Sequence, residues 1–127
     1  MNIYYIAIKL FFMFSLLFSY AFGQQVNLDS FEDIQLMTNE ECAVVQVNAS
    51  WNYKHNVALE KLEDCYVAYL DLENKTIGAV VQKEWRIKVV PTILIFKKGV
   101  EVKRFEAGIS MKFSEEDILN KIRREIN

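Results

Sequence analysis

The side chains best suited to chemistry in this sequence are one histidine, His55, and two cysteines, Cys42 and Cys65. A histidine can act as a general base, but no serine, cysteine or carboxylate is evidently placed to work with it. One histidine and two cysteines that are far apart do not match the spacing of zinc ligands. We therefore expect no catalytic residue, no metal site and no cofactor.

The first 23 residues have the pattern of an export signal. From Ile3 to Phe22 the side chains are apolar except for Lys9 and two serines, and the run ends on Ala21-Phe22-Gly23. This pattern predicts a signal peptide over residues 1–23, cleaved after Gly23, and a folded domain over 24–127. Because Lys9 is the only basic residue in this segment and the run is just long enough to span a bilayer, an uncleaved membrane anchor is the alternative.

Either fate of this segment places the folded domain in an oxidising compartment, exported to the periplasm or the extracellular space. A membrane is expected as a partner only if the segment is retained. The net charge of −2 argues against a nucleic-acid partner.

Apolar runs and alternation predict five strands. They cover Val26–Leu28, Ala43–Val47, Tyr66–Leu72, Thr92–Phe96 and Val100–Glu106, the last two joined by a turn at Lys97-Lys98-Gly99. The intervening segments have helical spacing, and each predicted helix follows a capping residue or a turn.

Four helices are predicted, each with a set of inward-facing apolar residues. The sets are Phe31, Ile34 and Met37 after Asp29 or Ser30; Val57, Leu59 and Leu62 after Asn52; Ile77, Val80, Val81 and Trp85 after Thr76; and Ile118, Leu119, Ile122 and Ile126 after a Ser114/Asp117 capping box. The order predicts an α/β fold, with a parallel core, an antiparallel hairpin and helices on both faces of the sheet.

Two segments resemble the thioredoxin family, and the resemblance extends over the whole domain. Residues 44–51, VVQVNASW, resemble the strand that leads into the family's W-C-G-P-C motif, and residues 89–96, VVPTILIF, resemble the segment that carries its cis-proline. The resemblance implies a thioredoxin fold and a cis bond before Pro91, which costs only about 0.5 to 1 kcal/mol before a proline. A trans proline at a strand start is the alternative.

The sequence departs from the family where the family does its chemistry. Aligned on Trp51, the two active-site cysteines become Asn52 and His55, so the segment reads Asn52-Tyr53-Lys54-His55. An amide and an imidazole cannot carry out thiol–disulfide exchange, which needs an attacking thiolate and a resolving thiol. The same alignment puts Gln46 in place of a buried aspartate and Tyr69 in place of its neighbouring lysine, so the chain is not expected to be a working disulfide oxidoreductase.

The resemblance also brings the two remaining cysteines together. If Gln46 lies beside Tyr69, the same offset puts Cys42 beside Cys65 on neighbouring parallel strands, at the sheet end opposite the family's active site. We expect a structural disulfide between them, with two reduced cysteines as the alternative.

With the dithiol lost, the family's peptide groove is expected to remain, formed here by Trp51, Tyr53, Val90 and Pro91. Pairing of a peptide with the main chain needs no cysteine. The prediction is therefore a protein- or peptide-binding module of the chaperone or adaptor kind. The alternative is a relic oxidoreductase that works through Cys42 and Cys65.

Overall fold

Five strands form one mixed sheet in the computed structural model, which describes residues 25–127. The strands are β1 (Gln25–Asn27), β2 (Cys42–Asn48), β3 (Tyr66–Asp71), β4 (Thr92–Lys97) and β5 (Val100–Glu106). They lie in the order β1-β3-β2-β4-β5. The predicted signal peptide lies outside the described residues.

Strand directions divide the sheet into a parallel part and an antiparallel part. Both β1 and β2 run parallel to β3, whereas β4 runs antiparallel to β2 and to β5. The β4–β5 turn has positive φ at both Lys98 (51°) and Gly99 (79°), as a two-residue type I′ hairpin requires. The predicted α/β fold class, with a parallel core and an antiparallel hairpin, is confirmed.

Between residues 25 and 127, three α-helices accompany the sheet: α1 (Phe31–Thr38), α2 (Gly78–Glu84) and α3 (Glu115–Ile126). The Ser30 hydroxyl accepts a hydrogen bond of 3.1 Å from the Asp33 amide, which caps α1. Ser114 precedes α3, but its side chain makes no capping hydrogen bond, so the capping-box prediction is wrong. Across residues 25–127, none of the helices combines the length and apolar composition needed to cross a bilayer.

The helices cover both faces of the sheet, and alternate β2 residues point to opposite sides. Val45 belongs to a core with Met37 of α1 and Val81 of α2, whereas Val44 belongs to a core with Ile118 of α3. Phe31 is an exception to the predicted helix stripes, because half of its surface is exposed, and Val80 is exposed too.

The second predicted helix does not form. Its place is taken by two short 3-10 helices, Ser50–His55 and Leu59–Lys61, and Asn52 lies inside the first one instead of capping a helix. The cause is a tertiary contact: the buried Gln46 amide donates to the Val57 carbonyl (2.9 Å) and accepts from the Val57 amide (2.7 Å). The Val57 amide is bonded to the Gln46 side chain, and the Val57 carbonyl is shared between Gln46 and the Leu59 amide (2.9 Å), so neither group makes the main-chain bond of an α-helix.

Candidate functional site

Three chain segments meet at one end of the sheet. In β2, Val47 is opposite Thr92 of β4, and Asn48 is opposite Asp71 of β3. The chain that leaves β2 at Trp51, the chain that leaves β3 at Leu72 and the chain that enters β4 at Pro91 therefore lie together. In sheets with parallel strands, ligands commonly bind at this carboxyl end.

Two open cavities lie at this end, and they share a wall made of Trp51, Lys88, Val89 and Val90. The larger, of about 540 Å³, continues toward the loop after β5 and is closed there by Ala107, Gly108, Ile109 and Met111. The smaller, of about 320 Å³, continues toward Leu72, Glu73 and Gln82. We call the two cavities together the groove.

The groove is bordered by apolar side chains that water reaches. Trp51 is 61% exposed and Ile109 is 100% exposed, and Val89 and Met111 are exposed as well. An exposed apolar patch at a concave surface is typical of a binding site.

The four residues predicted to form a peptide groove have different positions. Trp51 and Val90 line both cavities. Pro91 is buried beneath the surface, and the Val90–Pro91 peptide bond is cis. Tyr53 is exposed on the first 3-10 helix but lines neither cavity.

The buried Asn52 side chain links three segments through hydrogen bonds. Its Nδ2 donates to Asn48 Oδ1 of β2 (3.0 Å) and to the carbonyl oxygen of Met111 (3.0 Å). Its Oδ1 lies 2.8 Å from Nδ1 of His55. Because an amide oxygen only accepts, this network assigns the ring proton to Nδ1 and leaves Nε2 as an acceptor in the neutral imidazole.

Other amides and a tyrosine complete a neutral polar cluster beneath the site. Asn48 Nδ2 donates to Asn56 Oδ1 and to the Asn52 carbonyl. Gln46 lies opposite Tyr69 in the β2–β3 register, as expected. Burial in the sheet raises the pKa of Tyr69 above its ordinary value of 10.0, and the Asp71 carboxylate raises it further. Gln46 and Tyr69 therefore do not form a buried charge pair.

The two cysteines form the predicted disulfide at the other end of the sheet. Cys42 and Cys65 are bonded, with their Cα atoms 5.0 Å apart. Cys42 is opposite Lys97 at the far end of β4, whereas the groove lies beyond Thr92 at its near end. In residues 25–127 no group of three or more histidine, cysteine or acidic side chains is placed to hold a metal ion.

Several residues at this end were missed by sequence reasoning. Ser50 donates from its hydroxyl and from its amide to Asp71, which holds the chain after β2 onto the end of β3. Lys88 and the Ala107–Met111 loop also belong to the groove. Ile109 and Met111 were a usable signal, since two large apolar residues in a loop between polar neighbours have no core to enter.

Comparison with known proteins identifies the fold. No protein-family model matches the sequence, and no curated protein matches it. Solved structures do match. A chain of the complex of ferredoxin:thioredoxin reductase and thioredoxin f2 aligns with a TM-score of 0.64 at 22% identity, over 84% of this chain and 99% of that one.

Two further thioredoxins give the same result. Short-form spinach chloroplast thioredoxin f aligns with a TM-score of 0.63 at 17% identity, over 84% of this chain and 97% of its own. The Malassezia sympodialis thioredoxin aligns with a TM-score of 0.64 at 16% identity, over 80% and 90%. Likeness at such low identity shows the fold alone. The chain is therefore a thioredoxin-fold protein, with a Cys42–Cys65 disulfide and no C-x-x-C motif.

Proposed function

We propose that this protein is an exported, non-catalytic binding module that holds an extended peptide segment of another protein in the groove. The observation that supports it best is the pairing of an open apolar groove with a buried amide at the position of the first family cysteine. The groove offers a place to bind, and Asn52 offers no chemistry to perform there.

The polar groups under the groove are already used for structure. The Asn52 amide makes its hydrogen bonds within the protein, and the neighbouring Asn48 amide does the same. A polar side chain that is buried and satisfied supports the walls of a site but does not reach a ligand. This favours binding over catalysis.

The main chain beside the groove is available to a peptide. Within residues 25–127, no hydrogen bond satisfies the Val90 amide or carbonyl, which lie between the cavities and β4. An extended segment could pair with these groups while its side chains enter the two cavities.

Export and protein partners are part of the same proposal. The apolar N-terminal sequence supports export, and the Cys42–Cys65 bond suits an oxidising compartment. Mass spectrometry of the protein recovered after expression of the full sequence would test the cleavage. We expect a mature N-terminus at Gln24, and a chain that keeps residues 1–23 would support the membrane anchor instead.

The binding proposal is tested by selecting peptides from a random displayed library and measuring their affinity by fluorescence anisotropy. Trp51→Ala removes the largest side chain of the shared wall and should weaken the binding of selected peptides about tenfold or more. Phe31→Ala is the matched control, because Phe31 is also an exposed aromatic residue but lies on α1. Equal loss in both variants, or no selectable peptide, would contradict the proposal. Tyr53→Ala would show whether Tyr53 contributes from outside the cavities.

The second candidate is redox activity through the other cysteine pair. The observation that keeps it open is the position of the bond: Cys42 is only partly buried at the sheet end, so an external thiol could reach it. Insulin reduction that is abolished by Cys42→Ser would support this candidate. No turnover above the uncatalysed rate would leave the disulfide with a structural role.

A further inference from the structure

We propose, resting on the binding function above, that the groove selects acidic apolar segments. A large apolar side chain enters the larger cavity, and a neighbouring aspartate or glutamate pairs with Lys88. The partner is therefore an extended protein segment with an acidic residue next to an apolar anchor.

Lys88 is the residue that gives the larger cavity its charge. It lines both cavities, and it is the one charged side chain in the lining of the larger cavity. It is exposed, and among residues 25–127 no carboxylate forms an ion pair with it. The only acidic lining residue is Glu73, which belongs to the smaller cavity alone.

The rest of the larger cavity selects an apolar anchor. Trp51, Val89, Val90, Ile109 and Met111 present apolar surface toward it. When an apolar side chain covers this surface, water is excluded near the Lys88 ammonium, and a partner carboxylate there interacts more strongly than in open solvent.

The segment that carries Lys88 is held at both of its ends. Arg104 of β5 donates to the carbonyl oxygens of Trp85 (2.6 Å) and Arg86 (3.0 Å), and its guanidinium is itself held by Glu101 at 2.8 Å.

Beyond the segment, the Pro91 carbonyl accepts from the Ala107 amide at 3.1 Å. Ile87 is buried next to Lys88 and anchors the middle. The main chain at Lys88 is thus preorganised, which reduces the entropic cost of binding.

The expected selectivity is moderate because the lysine is exposed. Replacing the acidic residue of a bound peptide by its neutral amide should weaken binding about threefold to fivefold, and replacing it by lysine should weaken it further. Added salt should reduce the difference, since screening acts on exposed charges.

The test uses a displayed peptide library and the protein expressed from its full sequence. Peptides selected on the unchanged protein are each synthesised with aspartate, asparagine or lysine beside the apolar anchor, and their affinities are measured by anisotropy. The same peptides are measured on Lys88→Glu and on the control Lys98→Glu, whose side chain is exposed at the β4–β5 turn, at the other end of the sheet.

We expect aspartate to bind best to the unchanged protein and to Lys98→Glu, and lysine to bind best to Lys88→Glu. Selected peptides that bind equally with all three residues, both to the unchanged protein and to Lys88→Glu, would overturn the charge preference and leave the groove proposal intact. A library that yields no peptide dependent on Trp51 would overturn both. Circular dichroism on each variant checks that the fold is kept.

Discussion

Asn52, which the resemblance aligns with a family cysteine, has a structural role in this protein. Its buried amide joins the end of β2, the first 3-10 helix and the loop after β5. The loop after β5 carries Met111, and the 3-10 helix carries Trp51, so Asn52 also sets the distance between two walls of the groove. A cysteine at this place could not make these bonds, because a thiol is only a weak donor and acceptor.

The double variant Asn52→Cys/His55→Cys should therefore not become a disulfide reductase. Position 52 is buried, and its own backbone angles are non-helical within the first 3-10 helix. No regular helix N-terminus therefore lowers the pKa of an introduced thiol. We expect insulin reduction at the uncatalysed rate in a variant whose circular dichroism shows a folded protein. Turnover well above that rate would show that the dithiol alone is missing.

Gln46 bridges the sheet to the segment after Trp51, so its loss should lower the stability of the protein. Gln46→Leu keeps a side chain of similar size but leaves the Val57 amide without an acceptor, whereas the Val57 carbonyl keeps its hydrogen bond from the Leu59 amide (2.9 Å). One buried amide left unpaired should lower the free energy of unfolding by about 1–3 kcal/mol, measured by urea denaturation. Gln35→Leu, at an exposed position on α1, should change it by less than about 0.5 kcal/mol. Similar values for the two variants would contradict the bridging role of Gln46.

At the scale of elements, the disulfide ties β2 to β3 at the end away from the groove. Cys42 and Cys65 are separated by 23 residues, and the loop they close contains both 3-10 helices. Restricting this loop in the unfolded chain stabilises the fold, and by the chain-entropy relation the effect is about 3 kcal/mol.

The variant Cys42→Ser/Cys65→Ser should lose that stability in urea denaturation without losing its strand content. Reductant should destabilise the unchanged protein by a similar amount and leave the double variant unaffected. A double variant that is as stable as the oxidised protein would show that the bond has little structural value.

The start of α2 depends on a close approach of two backbones. A Cβ atom added at Gly78 would lie 2.1 Å from the Leu72 carbonyl oxygen, and main-chain atoms cannot move away as a flexible side chain can. Gly78→Ala should therefore destabilise the protein by about 1–3 kcal/mol in thermal or urea unfolding. Gly108→Ala is the matched control, because a Cβ there meets nothing within 4 Å. Equal stability of the two variants would place α2 farther from Leu72 than described.

In the molecule as a whole, α3 shares an apolar core with the 3-10 segment, and one carboxylate adds polar contacts between them. Glu115 accepts from the Ala58 amide (2.8 Å) and from Lys61 Nζ (3.2 Å). These contacts hold the pKa of Glu115 below its ordinary value of 4.5. The hydrogen bond from the Ala58 amide is the larger cause, and the hydrogen bond from Lys61 is the second.

The stability of the protein should therefore depend on this group in acid. Because the folded-state pKa is lowered, the contribution of Glu115 is present above about pH 4.5 and is lost as the pH falls through the folded value. Glu115→Gln should remove this part of the decline in urea-unfolding curves between neutral pH and pH 3. The effect should stay below about 1 kcal/mol, since the side chain is half exposed. An unchanged acid decline in Glu115→Gln would contradict the role of these polar contacts.

Apolar runs in the sequence were enough to predict the strands of the sheet, because continuous runs such as β2 and β4 are typical of strands buried on both faces. The disulfide was predicted from the resemblance to the thioredoxin family, which implies Gln46 beside Tyr69 and hence Cys42 beside Cys65, and the structure has both pairs. The absence of a C-x-x-C motif is also evident from the sequence, because its two cysteines are Cys42 and Cys65. These features follow from local pattern, from strand pairing and from resemblance to a family.

The segment that follows Trp51 and the shape of the groove depend on tertiary contacts. The apolar residues Val57, Leu59 and Leu62 suggested a helix, but Gln46 reaches across from the sheet to hydrogen-bond both main-chain groups of Val57. Lys88 and Ile109 are distant in sequence and line the same cavity because Arg104 and Pro91 hold their segments in place. Contacts of this kind join residues that no local period relates, and they can outweigh local helical preference.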